Sequence, residues 1–300
     1  LEHRMIFSFS IFKYNYHKYF IMEKKILTSK PLLKTIYDDI SLQLETRGKY
    51  DKPGLAIILV GSRKDSLTYI KLKQKKCREL GIQCFLFQYP ALTAIGKIIK
   101  EINTLNQIKS ISGIIVQLPL PDNFSRDDEY KILNSVSPEK DIDGFHHSNV
   151  GNLTLGNPKM IPCTAEGCLE LLNYHEIPIK GKHCVIVGSS KVVGVPLSLL
   201  LLHEGATTTL CNIHTERIKE ITNDADILVV CCGVPHLVDQ SWIKEGSIII
   251  DVGINHVSNK IVGDVNFDDV IHKVNYITPV PGCIGPLTIA ILMKHLVNNV

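Results

Sequence analysis

The chain has 300 residues, 45% of them hydrophobic and 21% charged, with a formal net charge of +3. That is the make-up of a globular protein large enough for two cores, and so slight a positive balance excludes a charge-driven nucleic-acid surface. No apolar run reaches the roughly 18 residues needed to span a bilayer. Nine cysteines without a Cys-x-x-Cys pair argue against a zinc site or a disulfide framework and for a reducing compartment.

Residues 1–4 precede a methionine and read as a tag remnant. Residues 5–22, rich in Phe, Tyr and Ile, with Lys13, Lys18 and no acid, read equally as an organelle presequence or a disordered extension. The expected location is cytoplasmic, or mitochondrial or in another organelle if this segment targets the chain. Residues 31–50 carry Leu32, Leu33, Ile36, Ile40, Leu42 and Leu44 at helical spacing before Gly48. Residues 55–60 form a continuous apolar run, a strand buried on both faces. A helix over 66–80 follows and stops at Gly81. On it Tyr69 and Lys73 stand four apart, which puts a phenol beside an amine on one face. Lys71, Lys75 and Lys76 read the same segment as a solvated basic face.

Residues 84–89 predict a second strand, 95–105 a helix, and 111–118 a third strand ending in Pro119-Leu120-Pro121. Strands alternating with helices across short turns imply a parallel sheet covered by helices. Gln117 falls at the C-terminal end of the third strand, where ligands collect in open α/β sheets; a hydrogen-bonding plug reads as well there. Residues 127–133 look helical. Pro138-Glu-Lys-Asp-Ile-Asp-Gly144 is a tight polar turn, on its own a capped loop. Residues 158–162 are irregular and suit a domain boundary. Residues 164–175 read as a linking helix with Thr164 as N-cap.

A strand over 182–187 then runs into Gly188-Ser-Ser-Lys-Val-Val-Gly194-Val-Pro196 and a Leu-rich helix over 196–202. Strand, glycine-bearing turn and helix start make a phosphate cradle, because free backbone N–H groups and the helix dipole attract an anion. The spacing is Gly-x5-Gly, so context has to support it. Strands over 206–210, over 225–232 before Gly233, and over 247–252 before Gly253 supply that context: a doubly wound nucleotide-binding domain. Where such domains place an acid against the ribose, this chain has Cys211, Asn212 and Ile213. The nearest cations are Lys191, His214 and Arg217, which leaves NADP and NAD both open. Residues 276–281 predict a last strand. The segment Gly282-Cys-Ile-Gly-Pro-Leu-Thr288 and an apolar helix to residue 297 close the chain.

Taken together, Ser66-x-x-Tyr69-x-x-x-Lys73, Val116-Gln-Leu-Pro-Leu-Pro121, Lys140-Asp-Ile-Asp-Gly144, Pro162-Cys-Thr164, Gly188-x-Ser190-x-x-Val193-Gly194-x-Pro196, Gly263-Asp-Val265 and Thr278-Pro-Val-Pro-Gly282 resemble the bifunctional methylenetetrahydrofolate dehydrogenase/cyclohydrolase family over about residues 27–293. The resemblance implies two α/β domains with a cleft between them. Residues 25–160 with 280–300 would form a folate-binding catalytic domain, residues 161–279 a Rossmann-like NAD(P)-binding domain, and residues 1–24 an extension. It implies oxidation of 5,10-methylenetetrahydrofolate with NAD(P)⁺ and hydrolysis of the methenyl product to 10-formyltetrahydrofolate. These reactions belong to one-carbon metabolism and purine biosynthesis. The cofactor implied is NADP, with NAD possible; no metal is implied, and a homodimer is.

Hydride transfer needs two rings positioned, whereas the hydrolysis needs a proton moved. The resemblance gives the second task to Lys73, oriented by Gln117, with Tyr69 stacked on the substrate and Asp143 accepting from its pterin. Val116, Leu118, Pro281, Gly282, Cys283, Ile284 and Gly285 would complete the substrate site. Gly188, Ser189, Ser190, Val193, Gly194, Ile213, Gly233, Gly253 and Ile254 would hold the cofactor. Three positions depart from the family pattern. Ser189 replaces an Arg, Ile213 a Ser, and Cys283 a Gly whose backbone could need positive φ. Those departures keep two alternatives open: a monofunctional NAD-linked dehydrogenase, and a folate- or nucleotide-binding protein without turnover.

Overall fold

The computed structural model describes residues 25–48, 52–258 and 260–299; the expectations for residues 1–24 lie outside them. The described chain divides into two compact units. The first contains residues 30–170, 191–203 and 286–299, the second residues 25–29, 171–190 and 204–285.

In the first unit α1 (Lys30–Glu45) buries Leu32, Ile36, Ile40 and Leu44, one residue per turn. Strand β1 (Gly54–Val60) is buried along its whole length. It is the centre of a three-stranded parallel sheet, with β2 (Gln83–Tyr89) on one side and β3 (Gly113–Val116) on the other. Helix α2 (Lys64–Glu79) connects β1 to β2, and α3 (Ile95–Asn106) connects β2 to β3. Ala56, Ile58, Ile114 and Val116 of the sheet meet Ile98, Ile102 and Leu105 of α3. Burying such a Leu or Ile side chain contributes roughly 1.5–3 kcal/mol, so this contact fixes where the C-terminal ends of β1 and β3 lie.

The third strand is shorter than expected. Its pairing with β1 ends at Val116, and Pro119 two residues beyond Gln117 has no N–H to extend a ladder. Helix α4 (Arg126–Leu133) starts on a capping box between Ser125 and Asp128. Helix α5 (His147–Thr154) was not expected. Its Ser, Asn, Gly and Thr residues are poor helix formers, and it starts where the Ser148 N–H donates to His146 Nδ1 at 3.1 Å. Helix α6 (Cys163–Tyr174) begins one residue before Thr164. Thr164 is therefore inside the helix rather than its N-cap, and the first turn closes with Glu166 N–H donating to Pro162 O at 3.0 Å.

The second unit is built on a five-stranded parallel sheet. Strand β4 (His183–Val187) precedes α7 (Gly194–His203), which belongs to the first unit. Strands β5 (Thr207–Cys211), β6 (Ile227–Val230) and β7 (Ile248–Asp251) follow, with the short α8 (Ile218–Thr222) between β5 and β6. After a small antiparallel hairpin, β8 (Asn255–Val257) and β9 (Lys260–Val262), come α9 (Phe267–Val270) and β10 (Tyr276–Ile277). The sheet order is β10-β7-β6-β4-β5, the doubly wound arrangement expected. Strand order reverses between β4 and β6, so the C-terminal ends of these two strands form the switch point at which such sheets take ligands. Val185, Val187, Leu228, Val230, Ile249 and Ile277 join Trp242 in the core behind it. Of the last helix, α10 (Ile284–Asn298), the first two residues are assigned to the second unit and the rest to the first. Among the described residues no helix is long and apolar enough to cross a membrane.

Candidate functional site

The first unit gathers the residues singled out for acid–base chemistry. On α2, Lys71 and Lys75 are exposed but Lys73 is only 8% exposed, so the solvated-face reading fails for the residue that matters. Lys73 Nζ donates to Gln117 Oε1 at 3.2 Å. Gln117 is held twice more: its backbone N–H donates to Ile58 O at 2.9 Å, and its Nε2 donates to Leu118 O at 2.9 Å. The second bond fixes which end of the amide faces the lysine. Val116, the last residue of β3, is buried beneath it. Tyr69, one turn before Lys73, is partly buried, and burial followed by the nearby Asp65 raises its phenol pKa. It stays a neutral donor at physiological pH.

Asp143 stands in the turn between α4 and α5. Ile114 N–H donates to Lys140 O at 2.8 Å and ties the turn to β3. Asp141 is buried and accepts from His146 N–H at 2.7 Å and Asn149 Nδ2 at 2.9 Å. Burial pushes its carboxyl up to about 6 against those bonds. The Asp143 carboxylate makes no hydrogen bond to any described residue. It does act on the buried Cys163 thiol, as Lys73 does, which puts both charges within electrostatic range of one atom.

The second unit carries the expected dinucleotide residues at its switch point. Gly188 follows β4 with φ 121°, and a Cβ there would lie 2.4 Å from Cys231 O, so only glycine allows the two strand ends to approach this closely. Cys231 Sγ donates to Gly188 O at 3.3 Å, and Gly233 follows two residues later with φ 70°. These loops rest on two buried acids to which the sequence reading gave no role. Asp264 accepts from the N–H groups of Cys232 at 2.7 Å and Gly233 at 2.9 Å. Asp251 accepts from Gly253 N–H at 2.9 Å, Asp264 N–H at 3.0 Å and Val265 N–H at 3.0 Å. The signal for Asp264 was present in Gly263-Asp-Val265, which had been noted only as part of a pattern.

Ser189 and Ser190 are exposed after Gly188, and Ile213 is 93% exposed after β5. The cations near them are engaged elsewhere. Lys191 pairs with Glu129 at 2.5 Å and Arg217 with Glu220 at 3.3 Å. Val193 and Gly194 lie at the start of α7. In the closing loop Ile254 and Gly285 come together, with Ile254 Cδ1 3.3 Å from where a Gly285 Cβ would be. The strain expected at Cys283 is absent. The positive φ falls on Gly282, at 115°, while Cys283 is buried with its Sγ donating to Leu27 O at 3.3 Å and its carbonyl accepting from Ser29 Oγ at 3.1 Å. Pro281 and Ile284 flank these two residues.

Comparison with known proteins accords with this geometry. Residues 27–143 match the family described as tetrahydrofolate dehydrogenase/cyclohydrolase, catalytic domain, and residues 162–300 match its NAD(P)-binding domain. The bifunctional protein FolD of Acetivibrio thermocellus is 44% identical over 279 residues, covering 92% of this chain and 97% of the relative. The crystal structure of the FolD methylenetetrahydrofolate dehydrogenase/cyclohydrolase of Campylobacter jejuni is similar at a TM-score of 0.86 and 41% identity, covering 91% of this chain and 97% of that one. The Trypanosoma brucei enzyme, complexed with NADP and an inhibitor, has a TM-score of 0.86 at 36% identity, over 91% and 96% of the two chains.

Proposed function

Because the chain belongs to the tetrahydrofolate dehydrogenase/cyclohydrolase family, we propose that Lys73, Gln117, Tyr69 and Asp143 are the residues through which it performs the family's two reactions. The enzyme oxidises 5,10-methylenetetrahydrofolate to the 5,10-methenyl cation and hydrolyses that cation to 10-formyltetrahydrofolate. The observation that carries the residue assignment is the buried Lys73 amine donating to Gln117 Oε1. Water attack on the methenyl carbon releases a proton, and a lysine nitrogen fixed in orientation and shielded from bulk solvent is placed to take it. Asp143 would accept from the paired N–H donors of the pterin, the kind of bond a carboxylate makes best. Tyr69 would lie against the ring system as a neutral phenol.

The cofactor is NADP, the dinucleotide bound in the Trypanosoma brucei structure, and when bound it supplies the hydride acceptor. The residues at the switch point fit a dinucleotide: Gly188 and Gly233 stand at the ends of β4 and β6, where the sheet order reverses. They fit a 2′-phosphate less well. Ser189 and Ile213 offer no guanidinium, and Lys191 and Arg217 each have an acidic partner. The preference for NADP over NAD is therefore shallow. Initial rates of methenyl formation with the two dinucleotides should give kcat/KM values within about tenfold, or about 1.4 kcal/mol. A preference above a thousandfold would contradict this account, and no product with either would leave a binding protein.

The sheet of the first unit also supports a homodimer. Strand β2 is an edge strand of its sheet with Phe85 and Leu86 exposed on its two faces, an edge that a second copy would pair with and cover. Sedimentation equilibrium should return twice the chain mass, and replacing both residues by lysine should halve it; a monomeric parent chain would end the proposal.

A further inference from the structure

Behind the turn that carries Asp143 lies a group of side chains that the two reactions leave unexplained. His295, on α10, is buried. Its Nδ1 is 2.9 Å from Ile142 O and its Nε2 is 2.6 Å from Glu166 Oε2. Nδ1 also lies 3.7 Å from Cys163 Sγ. The two shorter partners are both acceptors, and a ring protonated on both nitrogens, an imidazolium, satisfies them together. Lys294 Nζ donates to Glu166 Oε1 at 3.3 Å and to Glu170 Oε1 at 2.9 Å. Two carboxylates thus face two cations, a balance that burial demands. Cys163 Sγ donates to the same Ile142 carbonyl at 3.3 Å. That carbonyl belongs to the peptide whose nitrogen is that of Asp143, so two donors clamp the plane from which the Asp143 side chain projects.

We propose that His295, held by Glu166, is a positioning residue that sets the orientation of Asp143 for the pterin. The proposal rests on the assignment of Asp143 to folate. The clamp needs the Nδ1 proton: a neutral ring protonated there keeps it, and a neutral ring protonated on Nε2 instead loses it. Burial alone disfavours the charged ring; the Glu166 hydrogen bond and charge and the Ile142 carbonyl more than offset it, so the pKa lies above its ordinary 6.5. Burial likewise opposes ionisation of Glu166, yet His295 and then Lys294 draw it below its ordinary 4.5. The His295 contribution is complete below pH 6.5 and is lost as pH rises through the raised value. The Glu166 contribution is complete above pH 4.5 and is lost as pH falls through the lowered value. The pair therefore holds across neutral pH. The other charges facing it are Lys294 and Glu170, with Asp141, Asp143 and Lys73 acting on the neutral Cys163 thiol.

His295→Leu removes the donor to Ile142 O and leaves Glu166 paired with Lys294. Its folate KM should exceed the parent's about tenfold from pH 6 to 8, and its NADP KM should stay level. In Glu166→Gln the amide oxygen falls to Lys294 and the amide N–H faces His295 Nε2, so a neutral ring keeps Nδ1–H on Ile142 O; its folate KM should stay within about twofold of the parent's. His295→Ala decides the matter if His295→Leu does not fold. An unchanged folate KM in the folded His295 variant overturns the proposal. So does a rise shared equally by NADP, which would mark a general loss of packing. Asp143→Ala separates the two levels of inference. If it raises the folate KM and the His295 variants do not, only the positioning role is lost. If it does not, the Asp143 assignment falls and the proposal with it.

Discussion

Replacing Lys73 by alanine should lower methenyltetrahydrofolate hydrolysis about 100- to 10,000-fold, the range for removal of a positioned general acid or base. Dinucleotide binding should stay within about twofold, because no described residue of the second unit takes part in holding the amine. The variant should fold. Lys73→Ala removes a buried amine and leaves only Gln117 Oε1 without its donor, a loss of about 1 kcal/mol. Lys73→Arg tests the chemistry more narrowly. A guanidinium keeps the positive charge and the donor to Gln117 but does not give up its proton near neutral pH. It should therefore be as poor a hydrolase as the alanine variant. The decisive measurement is the decay of methenyl absorbance at matched enzyme concentration. A fully active Lys73→Ala hydrolase would sink the assignment, and an active Lys73→Arg hydrolase would mean the residue serves by charge alone.

Asp143→Ala should weaken both reactions together, through the folate KM. A carboxylate accepting two hydrogen bonds contributes about 1.5–3 kcal/mol for each, so the KM should rise at least about a hundredfold. The NADP KM should not move. Asp143→Asn preserves shape and removes charge, and an amide presents one acceptor where the carboxylate presents two. It should fall between the parent and the alanine variant. If hydrolysis alone were affected in Asp143→Ala, the residue would belong to proton transfer and not to pterin binding. Pterin binding is the role proposed for it because the neighbouring Asp141 is taken up by His146 and Asn149, whereas the Asp143 carboxylate has no such hydrogen-bond partner among the described residues.

Much of this site was readable from local pattern. Tyr69 and Lys73 lie four residues apart, and α2 covers both, so their common face followed from helical periodicity. Gln117 was placed at a strand end by the apolar run before it and the prolines after it. The switch-point glycines followed from the alternation of strand and turn. What the pattern missed has physical causes. Helix α5 is held by a side-chain cap and by packing, not by propensity. Cys283 was expected to be strained because it stands where the family pattern has a Gly, yet the positive φ falls on Gly282 and the Cys283 side chain fills buried space beside Leu27 O. Asp264 binds an N–H 32 residues away in the chain and Asp251 one 14 residues away, and spacing carries no record of such closure.

From the order of its residues alone, this protein's two α/β halves and its family were determined, and the four side chains proposed to react could be singled out, because each depends on periodicity or on a short motif read within one element. The burial of Lys73 among exposed lysines, the amide end that Gln117 turns toward it, and the charge on His295 were decided only by the tertiary structure. Lys73 and His295 depend on partners 44 and 129 residues away, the Gln117 amide also on the Leu118 carbonyl beside it, and each on how little water reaches the pair. The physical reason is that a protonation state or a hydrogen-bond direction is a property of surroundings, and surroundings exist only once distant segments have packed.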